Sequence, residues 1–164
     1  MKATDPALTS LLDQIAAANA DADRIFTAKA ADPGTDLYRN AKPTPAELAV
    51  FDRLTTAAGT GRLTLCPHLR FTPAPCWWAP WAPGRIRCGP CMDAAGARLT
   101  GREKHRCDHC RRWAPPLNIT ARRLPPTLAG QPGAGLFAFG PIIISAGYCQ
   151  TCRPVPQSTG KPVQ

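Results

Sequence analysis

Apolar positions fall into two regimes along this chain. Up to about residue 60 they recur at helical spacing, and beyond it they gather into short runs that end at cysteines. In the first regime Leu8, Leu11, Leu12 and Ile15 stand three or four apart, and Ile25 and Phe26 extend the set after a polar stretch. This pattern predicts a helix from about Asp5 to Ala31. Thr4 or Asp5 is placed to cap it, Pro6 lies near its first turn, and Asp32-Pro33-Gly34 should end it. A second helix is specified at both ends. Thr44-Pro45-Ala46-Glu47 matches a capping box with proline at the first helical position, and Gly59 stands at the expected stop. Leu48, Phe51 and Leu54, with Val50 alongside, give that helix an apolar face, and Leu37-Tyr38-Arg39 reads as a linker between the two helices.

From Arg62 onward the runs are short and β-prone. Arg62-Leu63-Thr64-Leu65 leads into Cys66, Arg85-Ile86-Arg87 into Cys88, and Ile142-Ile143-Ile144-Ser145 through Ala146-Gly147-Tyr148 into Cys149. Leu136 to Phe139, the Gly140-Pro141 pair and Ile142 to Ile144 read as two strands around a turn, a hairpin that would deliver the last cysteine pair. Pro115-Pro116, Pro125-Pro126 and Gly130-Gln131-Pro132-Gly133 read as loops. The expected architecture is α+β: a helical region over 1–60, a zinc-ribbon-like β region over 61–153 with two structural zinc sites, and a flexible tail over 154–164.

All eight cysteines lie between Cys66 and Cys152, and six of them form three C-x-x-C pairs: Cys88/Cys91, Cys107/Cys110 and Cys149/Cys152. Two cysteines separated by two residues in a tight turn can put both sulfurs on one metal, so each pair is half of a tetrahedral site. Fifteen residues separate Cys91 from Cys107, within the roughly 15–20 expected between the halves of a zinc ribbon. Nested sites in chain order are favoured, the first using Cys66, Cys88 and Cys91 and the second using Cys107, Cys110, Cys149 and Cys152. The other arrangement closes Cys88, Cys91, Cys107 and Cys110 into one ribbon and leaves Cys149 and Cys152 to Cys66 and a further group.

Either His68 or Cys76 can complete the first site. Eight thiolates make two sets of four, which favours Cys76, whereas Cys66-Pro67-His68 is a compact hook able to chelate one ion. Cys66-Pro67-His68-Leu69 followed by Cys88-x-x-Cys91 resembles the opening of ubiquitin-protease-type zinc fingers, in which a Cys and a His join a later C-x-x-C. The resemblance covers only these residues and implies a ligand set rather than ubiquitin binding. His105 and His109 read as neighbours of the third cysteine pair rather than as ligands. More broadly, the knuckles and the Ala-, Pro-, Gly- and Arg-rich composition resemble small zinc-ribbon proteins of GC-rich bacteria and their phages, a class that implies regulatory or adaptor work.

Charge divides where the hydrophobic pattern does. Residues 1–60 hold six Lys or Arg against eight Asp or Glu, and residues 61–164 hold fourteen against three, giving −2 and +11 and the net +9. A basic, aromatic-bearing module suggests nucleic acid as partner, with Arg85, Arg87, Arg111, Arg112, Arg122 and Arg123 as candidate contacts. Part of that charge has another use, because zinc on four thiolates carries −2 and two such sites would lower +9 to +5. Three of the four tryptophans fall in Cys76-Trp77-Trp78-Ala79-Pro80-Trp81, and the fourth is Trp113. They can stack on bases or cover the metals as core, and core is favoured. A protein-interaction adaptor acting through this Trp-rich loop and the helices is the alternative function.

Enzymatic readings lack parts. Cys88-Gly-Pro-Cys91 matches the dithiol motif of thioredoxins, which needs a preceding strand, a following helix and a βαβ frame, and no further βαβ pattern follows. HNH-type nucleases also bracket their core with C-x-x-C pairs, but no histidine lies between Cys110 and Cys152. The expectation is therefore a non-catalytic protein. Met1 to Asp5 carries no apolar leader, and no stretch approaches the roughly 18 apolar residues of a membrane span, so a cytoplasmic, non-membrane protein is expected, where thiolates stay available for metal.

Overall fold

Ile142-Ile143-Ile144 is the run most committed to burial, and it forms the middle of the main sheet. In the computed structural model, which describes residues 6–29, 35–38, 42–69, 73–124 and 140–154, the elements are α1 (Pro6–Lys29), β1 (Thr35–Tyr38), α2 (Pro45–Gly59), β2 (Thr64–Leu65), β3 (Cys76–Trp78), β4 (Arg85–Ile86), α3 (Gly89–Ala97), β5 (Asn118–Arg123) and β6 (Ile142–Tyr148). Single 3-10 turns occur at Pro67–Leu69 and Gly101–His105. The sheet order is β1-β5-β6-β3, and β2 and β4 make a separate parallel pair. Central β6 runs antiparallel to β5, from Asn118 opposite Tyr148 to Arg123 opposite Ile143, and parallel to β3, with Cys76 opposite Ile142.

Helices cover both faces, which is why the isoleucine run is continuous rather than alternating. Ile142, Ile144, Ala146 and Tyr148 on β6, with Cys76 and Trp78 on β3, pack with Val50, Phe51 and Leu54 of α2. Ile143, Trp77, Ala79 and Ala121 pack on the other side with Ala22 and Phe26 of α1. The result is a helix, sheet, helix sandwich of mixed α and β structure. Gly140 leads into β6 at φ +126°, and a Cβ there would collide with the carbonyl oxygen of Ala74. That close approach is what lets the Cys76 amide reach the Pro141 carbonyl at 2.9 Å and start the β3–β6 pairing.

Two consecutive arginines on β5 fasten the two helices. Side chains alternate across a strand, so Arg122 points to the α2 face and Arg123 to the α1 face. Arg122 is 4% exposed and grips Glu47 through two hydrogen bonds, Nε to Oε1 at 2.6 Å and a terminal nitrogen to Oε2 at 3.0 Å. The same Glu47 carboxylate closes the capping box by accepting from the Thr44 amide at 2.9 Å, while the Glu47 amide donates to Thr44 Oγ1 at 3.3 Å. One buried carboxylate thus starts α2 and seats it on the sheet. Arg123 donates to Asp23 Oδ1 at 2.8 Å and to Asn19 Oδ1, both on α1.

Several sequence expectations change here. Leu37 and Tyr38 are not linker but part of β1, which pairs in parallel with β5. The strand β5 escaped the sequence reading because its α2-facing residues include Thr120 and Arg122, so no apolar alternation marks it. Arg122 is a core residue and not a surface nucleic-acid contact. The expected strand over Leu136–Phe139, the loops from Pro125 to Gly133, the N-cap at Thr4 or Asp5 and the tail beyond Pro154 lie outside the described residues. Among the described residues β6 lies between two strands from other parts of the chain, β5 and β3. Among the described residues no helix is long and apolar enough to cross a membrane.

Removing one partner of a buried ion pair strands the other charge. Arg122→Met should therefore cost about 3–5 kcal/mol in urea unfolding, whereas Arg123→Ala, whose partner Asp23 is exposed, should cost under about 1 kcal/mol. Equal losses in the two variants would contradict the roles assigned.

Candidate metal centres

The first centre is assembled by two short strands that end together. In the β2–β4 pair Leu65 lies opposite Ile86, so the residues that follow arrive side by side: the Cys66 amide donates to the Ile86 carbonyl at 2.9 Å, and the Cys88 amide to Cys66 Sγ at 3.3 Å. Arg87 ties this unit to the main sheet by exchanging backbone hydrogen bonds of 2.7 and 2.8 Å with Trp77. Cys88 is the N-cap residue of α3, and Cys91 lies in its first turn. The 3-10 turn, anchored by buried Leu69, presents His68 with Nδ1 3.2 Å from Cys91 Sγ and 3.7 Å from Cys88 Sγ. The donor atoms of Cys66, His68, Cys88 and Cys91 all lie within 4.8 Å of one another.

Their protonation follows from this crowding. Burial pushes the Cys66 thiol up, but hydrogen bonding to the Cys88 amide and thiol, the His68 amide and the Cys91 thiol outweighs it and holds Cys66 below its ordinary value. Cys91 is pushed up by its hydrogen bond with the Cys88 thiol, then by desolvation and the charges of Cys88 and Cys66. Several thiols packed this closely cannot all ionise without a cation among them, so metal uptake must release protons.

The second centre joins a knuckle to the end of β6. The Arg111 amide donates to the Cys107 carbonyl at 2.9 Å, the Cys107 amide to the Arg112 carbonyl at 2.9 Å, and Arg111 takes a left-handed φ of +63° to close the turn. A backbone bridge between Arg106 and Trp113 secures its base. Cys149 directly follows β6, and the Cys152 amide bonds back to the Cys149 carbonyl at 3.0 Å. The sulfurs of Cys107, Cys110, Cys149 and Cys152 form the second group, again within 4.8 Å of one another. Burial, then hydrogen bonds to the Cys149 and Cys110 thiols, push Cys152 up to about 12.

Residues outside the ligand set hold this knuckle in place. Asp108 exchanges two hydrogen bonds with Gly147 of β6, amide to carbonyl at 2.8 Å and Gly147 amide to carboxylate at 2.8 Å. Arg53 on α2 donates to the Asp108 carbonyl at 2.6 Å and the His109 carbonyl at 3.2 Å. Burial pushes the Asp108 carboxyl up to about 6, against the Gly147 amide and the charges of Arg111 and Arg53. His109 Nδ1 sits 3.3 Å from Cys152 Sγ as a neighbour of the sulfur set. Neither Arg53 nor Asp108 was singled out from the sequence. Arg53 lies 55 residues from Asp108, and Asp108 is merely a knuckle spacer in pattern terms.

The donor sets can be tested against a metal directly. Two sulfurs held at about 2.3 Å by a tetrahedral ion lie about 3.8 Å apart, and Cys110 Sγ and Cys149 Sγ are 3.8 Å apart. A disulfide would require about 2.05 Å, and none of the eight cysteines is in one. Three thiolates with an imidazole, and four thiolates, are soft donor sets of the kind that take zinc. Both clusters can hold metal ions.

Cys76 lies outside both groups. Its thiol sits in the core on β3 and donates to the Ala74 carbonyl at 3.0 Å, and burial, followed by the charges of Cys66 and Cys88, pushes it up to about 12. Counting eight sulfurs as two fours misleads because an imidazole fills the eighth place. Of the arginines named from sequence, Arg85, Arg111 and Arg112 are exposed, Arg87 is partly buried and donates to the Ala82 and Arg85 carbonyls, and Arg122 and Arg123 belong to the sheet. Trp77 and Trp78 are buried, Trp81 packs against the α1-side core, and Trp113 is 61% exposed. Fold and sites together define a mixed α/β protein with two four-ligand cysteine-rich centres. Comparison with family models, with curated proteins and with solved structures returned no match.

Elemental analysis of the purified chain is expected to give two metal ions per molecule. Cys76→Ala should retain both, while His68→Ala and Cys110→Ser should each lower the count to one. Loss of an ion in Cys76→Ala would contradict the ligand assignment.

Proposed function

We propose that this chain is a non-catalytic nucleic-acid-binding protein whose two centres carry structural zinc. The closed donor sets support the structural role: each offers four protein ligands, the arrangement in which zinc contributes folding energy rather than an open position for substrate. When bound, the ions supply a crosslink between segments distant in sequence. Cys66 and Cys88 terminate a two-residue strand pair, and Cys107 and Cys149 join a surface knuckle to the central strand, so the ions would stiffen the parts with the least regular structure.

The observation that carries nucleic-acid binding is the basic surface around the second knuckle. Arg102, Lys104, Arg106, Arg111 and Arg112 are all exposed there, with Glu103 as the one exposed acid among residues 101–113. The charge survives the metal correction. With His68 in place of a cysteine, the centres carry −1 and −2, so the net +9 falls only to +6. A positive surface attracts phosphate and gains from counterion release. Trp77 and Trp78 are buried, so of the Trp-rich loop that the adaptor alternative called on only Trp81 keeps part of its ring at the surface.

Fluorescence anisotropy with labelled oligonucleotides tests this. Neutralising about five phosphates should weaken binding on the order of a hundredfold for a single strand and several hundredfold for a duplex between about 50 and 200 mM salt. No binding to DNA or RNA at low salt, or an affinity indifferent to salt, would overturn the proposal.

A further inference from the structure

We infer that Trp113 is a stacking platform for an unpaired base, so that the nucleic acid preferred by this surface is single-stranded; this rests on the nucleic-acid reading above. Trp113 is the most exposed large hydrophobic side chain among the described residues, at 61%. It is neither a metal ligand nor part of the two core clusters, so neither packing nor coordination accounts for an indole held in solvent at this point.

Its surroundings are built rather than incidental. The indole is a shared wall of two adjoining clefts, one of 260 Å³ lined also by Arg102, Glu103, Arg106 and Arg111, the other of 510 Å³ lined also by Lys104 and His105. The backbone beneath is pinned by the Arg106–Trp113 bridge and by the Ala114 amide donating to the His105 carbonyl at 2.9 Å. His105 braces the ring in a T-shaped contact, 6.4 Å between centroids and 78° between planes. Arg106 is fixed by donating Nε to the Arg111 carbonyl at 2.8 Å. An aromatic ring so oriented, with cations on both sides, matches what a single strand offers: a flat apolar face flanked by phosphates. In a duplex the base faces are already stacked on one another, and this indole has nothing to receive.

The test uses the full-length, metal-loaded chain with a fluorescein-labelled 20-nucleotide oligothymidine and a mixed-sequence 20-base-pair duplex. Trp113→Ala is expected to weaken oligothymidine binding about 5- to 150-fold with little change for duplex, and Trp113→Phe to restore most of the loss. Oligothymidine should quench the tryptophan emission of the wild type, and Trp113→Phe should lose most of that quenching while still binding. Unchanged metal content checks that the variants fold; should Trp113→Ala lose metal, the quenching comparison decides. If the wild type binds neither probe, the nucleic-acid reading itself fails. If it binds them but Trp113→Ala weakens both equally or neither, or if duplex is preferred, stacking alone is overturned.

Discussion

Soft donors from distant segments meet at two points in this molecule, and the geometry of the rest is arranged around those meetings. The first gathers the ends of β2 and β4, a 3-10 turn and the start of α3; the second gathers a knuckle and the end of β6. Thiolates cannot crowd to within a few ångströms of one another without a cation to absorb their charge. The same crowding that makes the apo arrangement costly makes the metal-bound one stable, and a chain with two-residue strands needs that gain. Each centre is also wired to the sandwich behind it, the first through the Arg87–Trp77 bridge and the second through Asp108, Gly147 and Arg53.

The two helices are fastened by a different device. Neighbouring side chains on β5 face opposite ways, so two adjacent arginines reach two helices, one as a buried bidentate pair and the other at a partly exposed edge. Charge that looks like a surface patch in the sequence is here partly internal wiring. The basic residues left for a partner are those around the second knuckle, where backbone bridges and the left-handed Arg111 hold the loop in one shape.

Legibility in the sequence followed how local the determining interaction is. The capping box of α2 and the C-x-x-C knuckles are spelled out by residues within a turn of one another, and they were readable. Strand β5 was not, because Arg122 is made compatible with the core by Glu47, 75 residues away. The strand β1 was hidden for a similar reason: four residues pair with a partner about eighty positions later. His68 and Cys76 stayed ambiguous in the sequence because both lie within reach of Cys66. The choice between them was made by β3, which carries Cys76 into the sheet, and by the short turn that points His68 at Cys88 and Cys91.

X-ray absorption at the metal edge of the zinc-loaded protein measures the ligand atoms themselves. Two filled centres built as described give, summed over both ions, seven sulfurs at about 2.3 Å and one nitrogen at about 2.0–2.1 Å, an average of 3.5 sulfurs and half a nitrogen per zinc. Eight sulfurs and no nitrogen would place Cys76 in the first centre against its position on β3. A shell dominated by nitrogen or oxygen would mean that these cysteines do not hold the metal at all.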